Sequence, residues 1–498
     1  MAVPSTITAQ SLRQNTISGI GWSVISRVGR QSFQFVFQVI LARILLPDAF
    51  GLVGMITVFV GFANIFMDLG FGSALIQKQD ADEDHYSSIF WLNVAAGLSL
   101  MLIFVAASPL IARFYNQPDL IPLTIVSSIN FFVGSFSVIH ISLLKKELNF
   151  KKLAAAELSA VIVSGVFAVL MAWFGWGVWS LVLQSVLLTT ITAVLLWIFN
   201  DWRPNWRFRW SSVKDLLGFS ANLLGFTSFN YWIRNADNLL IGRFLGTLAL
   251  GIYSYSYSIM LLPLSLVSRT ISDVMFPALS SIQDDKPRIA RIYLSMTRAI
   301  ALVTFPMMVG LWVVTERFVL VIFGTQWLGM VPILKVFSII GLIQSIGTLN
   351  GNLYLSQGRS DLQFKVGLVI GTLGVGSILI GLRWGIEGVA IAYGIFSVLV
   401  VYPSIHIAVS LVDLTFIKVA ENLLSITLCS WIMAFFVWGI GQFLPPEWPD
   451  WLNLLIQVFT GSIIYFGLIH FLNIQAYYEL RKMLVEQWKN RGLFLKRV

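Results

Sequence analysis

"LARILLPDAFGLVGM", residues 41–55, returns 200 positions later as "IGRFLGTLALGIYSY", residues 241–255, with Arg43 over Arg243, Ala49 over Ala249 and Gly51 over Gly251. Further on, "DLGFGSALIQ" from Asp68 matches "DVMFPALSSIQ" from Asp273 once about five residues are inserted before it and one is dropped within it. Both matches sit where one long apolar run gives way to the next. Chance likeness between apolar segments is the competing reading. The agreement in order and in polar positions favours two homologous halves.

The apolar runs themselves decide the class. The chain is 57% hydrophobic and 11% charged, with a mean hydropathy of +0.81, whereas soluble domains run near 45–50% apolar and about 25% charged. Runs of about 20 to 28 residues suit membrane helices and not the alternating strands of roughly 10 residues that build barrels. Hydropathy predicts helices near 16–44, 50–76, 87–109, 120–144, 153–174, 178–199, 214–241, 250–278, 291–315, 330–355, 364–383, 387–410, 418–440 and 452–473.

The expected architecture is therefore an all-α polytopic membrane protein of about fourteen transmembrane helices. Residues 1–200 form an N-terminal six-helix lobe, 201–213 a cytoplasmic linker and 214–410 a C-terminal six-helix lobe. Residues 411–473 add two further helices, and 474–498 a basic amphipathic tail. An even number of helices before the linker gives both lobes the same orientation, related by a pseudo-two-fold axis along the membrane normal.

Charge fixes the orientation. With the N-terminus inside, "KKELNFKK", "DWRPNWRFRWSSVK", "QDDKPRIAR", "GRSDLQFK" and the tail all face the cytoplasm. Together with Arg13, Lys78 and Lys418 they hold roughly 22 of the 33 Lys and Arg, against about five outside. Both termini are expected in the cytoplasm. The net charge of +9 is then a topology signal, and nucleic acid is not an expected partner. The polar opening "MAVPSTITAQSLRQNT" lacks the pattern of a cleaved signal, so the first helix reads as a retained anchor.

Within the first apolar run, Ser23, Arg27, Arg30, Gln34 and Gln38 follow at steps of 4, 3, 4 and 4, which puts them on one stripe. The seventh helix carries a similar stripe of Ser220, Thr227, Tyr231, Arg234 and Asn238, with Gln34 over Arg234 and Gln38 over Asn238 in the repeat. Intramembrane arginines are costly and mark either an internal partner or a wet cavity. Both readings stand: pairing within the bundle, or an anion-facing cavity lined by Arg27, Arg30, Gln34, Gln38, Arg234 and Asn238. Arg298, nearer the cytoplasm, has the same two readings.

Asp68, Asp237 and Asp273 are the candidates for ion coupling, since a carboxylate in a partly dry cavity can hold a proton or help coordinate sodium. Arg269 and Asp273 are four apart and can also meet as a structural pair. Glu157 has no obvious match, and His140 reads as a hydrogen-bonded histidine near a helix end. Tyr253, Tyr255 and Tyr257 read as interface aromatics. The glycines of "GTLGVGSILIGL" suit close helix packing, not phosphate binding. The single cysteine, Cys429, and the lack of HExxH or Walker patterns leave no expected disulfide framework, metal site, cofactor or catalytic group. The tail from Tyr477, with six basic residues among Leu, Met and Trp, suits an interfacial helix on an anionic leaflet.

The segments "GIGWSVISRVGRQSFQFVFQVILARILLPDAFGLVGM", "MDLGFGSALIQ" and "FPALSSIQDDKPR" resemble the polysaccharide-exporter (Wzx-type) branch of the multidrug/oligosaccharidyl-lipid/polysaccharide flippase superfamily. The likeness covers nearly the whole chain in helix count and order. It implies a flippase, not an enzyme, that moves undecaprenyl-diphosphate-linked oligosaccharide across the bacterial inner membrane by ion-coupled alternating access of two lobes. Its partners would be the lipid-linked oligosaccharide, H+ or Na+, membrane lipids, and a glycan polymerase with its chain-length regulator. The rivals are a small-molecule exporter of the same superfamily, which would favour an acidic cavity, and a membrane glycan polymerase or ligase, which would need a sizeable outer loop.

Overall fold

The computed structural model describes residues 9–68, 75, 82–474 and 477, and there the chain is helical, with no strand among the described residues. The helices are α1 (Ala9–Ile44), α2 (Pro47–Asp68), α3 (Glu83–Tyr115), α4 (Leu120–Ser135), α5 (Val138–Lys146), α6 (Phe150–Trp173) and α7 (Val178–Phe199). They continue with α8 (Trp210–Ser280), α9 (Lys286–Ile322), α10 (Met330–Gly347), α11 (Asn350–Ser356), α12 (Ser360–Gly381), α13 (Gly385–Ser410), α14 (Phe416–Phe443) and α15 (Asp450–Phe471). Eleven described spans are long and apolar enough to cross a membrane, against about fourteen expected. The first helix, which carries Arg27, Arg30 and Arg43, is not among them, and Thr227–Ser265 and Ser360–Ser410 each count once although each runs through a break.

Local chemistry sets the boundaries. Asp82 opens α3 with a reciprocal cap: its Oδ1 accepts the His85 N–H at 2.9 Å, and its own N–H donates to His85 Nδ1 at 3.4 Å. The His85 N–H holds the Asp82 carboxyl below its ordinary range. Asn149, Asp285 and Thr415 cap α6, α9 and α14 through their side chains. Two apolar runs expected as single helices are divided, one into α4 and α5, the other into α10 and α11. The opposite happens at α8, which runs from Trp210 to Ser280 with only Gly246 outside helical geometry, at φ 87 and ψ −173. That region is open essentially to glycine alone.

The chain divides into two units, Met1–Gly251 and Ile252–Val498. In the first, α1 packs on α6, α6 on α7, and α4 bridges α3 and α7. Leu41 of α1 and Leu45 just after it pack with Ala168 and Ala172 of α6, and the Phe37 ring fills the space over Gly165. In the second, α9 is the hub, in contact with α10, α14 and α15. Its core joins Ile289, Tyr293 and Ile300 to Leu353, Ile405, Ile426 and Cys429. The buried Tyr293 hydroxyl donates to Asn350 Oδ1 at 2.9 Å, and that of Tyr465 to the Leu302 carbonyl at 2.9 Å, whereas the Tyr354 hydroxyl in the same core is buried with no partner among the described residues. Outward, large apolar side chains such as Phe435, Phe459 and Phe466 are exposed, as a surface that meets lipid requires.

Candidate functional site

The α1 helix divides its surface three ways. Ser26, Phe37 and Leu41 are buried, Phe33, Val36 and Ile40 are exposed apolar positions, and Arg27, Arg30, Gln34 and Gln38 form an exposed polar stripe. The stripe follows from helical spacing. A membrane helix with exposed guanidinium and amide groups beside exposed aliphatic and aromatic ones has one polar and one lipid-like surface.

Arg30 lies 3.9 Å from the Glu157 carboxylate on α6, with its side chain 47% exposed and that of Glu157 29% exposed. Ser26, one turn before Arg30, donates to the same Glu157 oxygen at 3.2 Å. The structure thus brings Ser26, Arg30 and Glu157 together. Glu157 balances part of the cationic charge and leaves Arg30 on an open face. At the start of α6, Lys151 stands over the Trp22 ring, 5.8 Å from its centre.

On α8, Arg234 is exposed, Asn238 is half-buried and Asp237 is buried. The Asn238 N–H donates to Asp237 Oδ1 at 2.7 Å, so these two neighbours form a local polar cluster. Tyr231, which shares a sequence stripe with them, is used differently. Its hydroxyl donates to the Val58 carbonyl at 2.7 Å, and its ring packs beside Phe62. Further along α8, Thr247 donates from Oγ1 to Asp48 Oδ1. The side chains of Ser23, Asp68, Ser220, Arg269 and Asp273 lie outside the described residues, and with them the expected Arg269–Asp273 pair. His140, expected to be hydrogen-bonded, is instead fully buried with neither ring nitrogen partnered, edge-on to Trp197 and Trp202.

Two contacts escape sequence reasoning. Glu157 is 131 residues from Ser26, a distance at which spacing carries no signal. Arg298 donates from Nε to Asn422 Oδ1 at 2.7 Å, 124 residues on. No group of three or more His, Cys, Asp or Glu is placed to hold a metal among the described residues.

With this geometry in view, comparison with known proteins places the chain. The family described as "Polysaccharide biosynthesis protein" matches residues 40–332. The teichuronic acid biosynthesis protein TuaB of Bacillus subtilis (strain 168) is 32% identical over 356 residues, 71% of this chain and 74% of its own. The lipopolysaccharide biosynthesis protein WzxC of Escherichia coli (strain K12) is 31% identical over 377 residues, 74% of this chain and 76% of its own. The succinoglycan biosynthesis transport protein ExoT of Rhizobium meliloti (strain 1021) is 30% identical over 335 residues, 67% of each chain. Among solved structures, the lipid II flippase MurJ in an inward closed conformation superposes with a TM-score of 0.72, over 93% of this chain and 99% of that one. At 16% identity that likeness concerns the fold. A mutant of the Vibrio cholerae MATE transporter VcmN gives 0.52 at 12% identity, over 80% of this chain and 97% of its own. The chain is a multi-pass membrane protein that belongs to the polysaccharide biosynthesis protein family.

Proposed function

We propose that this chain is a flippase that moves undecaprenyl-diphosphate-linked oligosaccharide from the cytoplasmic to the outer leaflet of the bacterial inner membrane, for the assembly of a surface polysaccharide. The observation that carries the reading is the α1 surface, where exposed Arg27, Arg30, Gln34 and Gln38 run beside exposed Phe33, Val36 and Ile40. A diphosphate can cross a bilayer only if cations and hydrogen-bond donors replace its hydration, and the guanidinium fork matches phosphate oxygens. The polyprenyl chain meanwhile needs an apolar surface. Relatives named for teichuronic acid, lipopolysaccharide and succinoglycan biosynthesis, and the shared fold of a lipid II flippase, support the same substrate class. Transport, with no bond made or broken by the chain, accounts for these features.

In this reading Arg27, Arg30, Gln34, Gln38, Arg234 and Asn238 line the substrate path. Asp68, Asp237 and Asp273 are the coupling candidates for H+ or Na+. The lobes 1–200 and 214–410 alternate access, both termini lie in the cytoplasm, and a glycan polymerase with its chain-length regulator receives the product. The test is the leaflet distribution of lipid-linked oligosaccharide in cells depleted of the chain. Its accumulation on the cytoplasmic side, reversed by re-expression only while the proton or sodium gradient is maintained, is the expected outcome. Unchanged distribution, with loss of resistance to cationic dyes instead, would favour a small-molecule exporter.

A further inference from the structure

A second cationic surface belongs to the unit Ile252–Val498. Arg288, Arg291, Ser295 and Arg298 follow at steps of 3, 4 and 3 along α9, which sets them on one helix face. With the apolar Ile292 and Met296 they line a groove of about 480 Å3. Neither Arg288 nor Arg291 has a carboxylate partner among the described residues. Two nearby acids are engaged elsewhere: Asp285 caps α9 by accepting the Arg288 backbone N–H at 3.1 Å, and Asp413 pairs with Lys286 at 3.3 Å.

Arg298, deeper in the groove, is held in place. Its Nε and Nη2 both donate to Asn422 Oδ1, while Asn422 Nδ2 donates to the Leu294 carbonyl at 2.9 Å. The amide is gripped by side chain and backbone of α9 at once, which orients the guanidinium plane.

Depth in the membrane follows from the sequence. Residues 299–315 contain no charged side chain, and at 1.5 Å per residue they make about 25 Å of helix, close to the hydrocarbon thickness of about 30 Å. Arg298 therefore stands at the edge of the hydrocarbon, with Arg291 about 10 Å and Arg288 about 15 Å further along the helix axis, at the outer side of the headgroup layer.

We infer that this groove binds the diphosphate headgroup of a polyprenyl lipid resting in the leaflet, before translocation. The inference builds on the proposed flippase function and adds a loading site to it. Side chains one helical turn apart are about 5–6 Å from each other at Cβ, so Arg288 and Arg291 can each turn a planar fork to one phosphate of a diphosphate. The positive end of the α9 dipole adds to their field. A diphosphate offers each fork a phosphate of its own and carries more negative charge than a phosphodiester headgroup, which favours the diphosphate as occupant. Ile292 and Met296 offer apolar contact where the first isoprene units leave the headgroup.

The experiment uses the full chain in phosphatidylcholine nanodiscs with a photoreactive benzoylphenylalanine in place of Ile292, a reporter inside the groove. Crosslinking to undecaprenyl diphosphate is expected. Excess inorganic diphosphate should suppress it, and the double substitution Arg288→Gln, Arg291→Gln should lower it at least tenfold. The Arg288→Lys, Arg291→Lys variant, which keeps the charge and loses the fork, should fall between. Both arginines are exposed, so the melting temperature of each variant should match the parent and separate binding from folding. Crosslinking that persists within twofold in the glutamine variant overturns the groove. Equal competition by phosphatidylglycerol overturns its assignment to a diphosphate. Transport is scored separately: crosslinking in a chain that fails to flip the lipid-linked oligosaccharide would sink the flippase reading and leave the groove standing.

Discussion

Gly51 lies directly on Thr247: a Cβ built on the glycine would stand 1.8 Å from the Thr247 carbonyl oxygen. Gly251 meets Pro47 in the same manner, with a Cβ at 2.0 Å from that carbonyl. Exchanging each residue for its counterpart 200 positions away turns one contact into the other, the reciprocity of a two-fold arrangement. The segments 47–51 and 247–251, both within the first unit, thus meet at these glycines. Alanine at either position forces backbone against backbone, so Gly51→Ala and Gly251→Ala should each cost about 1–3 kcal/mol. A thermal melt of the purified chain measures it. An undiminished melting temperature for both would show that the contact is not formed under those conditions.

Gly246 makes a separate prediction, because it interrupts α8 at φ 87 and ψ −173 with nothing within 4 Å of a built Cβ. Any penalty there comes from backbone strain and not from crowding. Gly246→Ala should destabilise the chain by about 1–3 kcal/mol. Gly439 also has open space around it and has no positive φ, so Gly439→Ala should be neutral or slightly stabilising. Equal melting of the two variants would contradict the assignment of the break to glycine's freedom.

Arg30 and Glu157 offer a way to part structure from function. Their pair is 3.9 Å long and half-exposed, so its contribution to folding is at most about 1 kcal/mol. If Arg30 also serves the translocated anion, Arg30→Gln should reduce surface glycan at least tenfold while protein level and melting temperature stay near the parent. Arg30→Lys should retain part of the export, because the charge remains and the fork is lost. Glu157→Gln, which removes the counter-charge and keeps a hydrogen-bond acceptor for Ser26, should leave export closer to the parent than Arg30→Gln does. Identical losses in Arg30→Gln and Glu157→Gln would reduce the arginine to a structural partner.

Much of the fold is legible in the sequence because run length and repeat are local properties. The apolar stretches fall where the helices are, and the alignment of Gly51 with Gly251 marks a junction that the structure also treats in a repeated way, at Leu46 before α2 and at Gly246 within α8. Breaks inside a run are less legible. The interruption between Ser135 and Val138 and the continuity of α8 through Gly246 depend on packing that an apolar pattern does not encode. The stripe of Arg27, Arg30, Gln34 and Gln38 is readable from helical spacing alone. Its partner Glu157 and the Asn422 that orients Arg298 are not, since tertiary contacts over 131 and 124 residues leave no periodic trace.

The orientation of the chain underlies both the transport direction and the loading groove, and it is open to direct measurement. The excess of Lys and Arg in alternate connections predicts that Lys151 faces the cytoplasm and that the 444–449 connection, with Glu447 exposed, faces outward. Cys429 is the single cysteine and is fully buried on α14, so an impermeant maleimide meets little native background. In intact spheroplasts, Glu447→Cys should label at least tenfold more than Lys151→Cys, and permeabilisation should bring the two level. The Lys151 position carries its own check: the Lys151 ammonium lies over the Trp22 ring, so Lys151→Cys removes that contact and its expression must be matched before labelling is compared. A reversed pattern would put the α9 arginines in the outer leaflet. In that case the groove at Arg288 and Arg291 would meet the lipid after translocation and act in release, not loading.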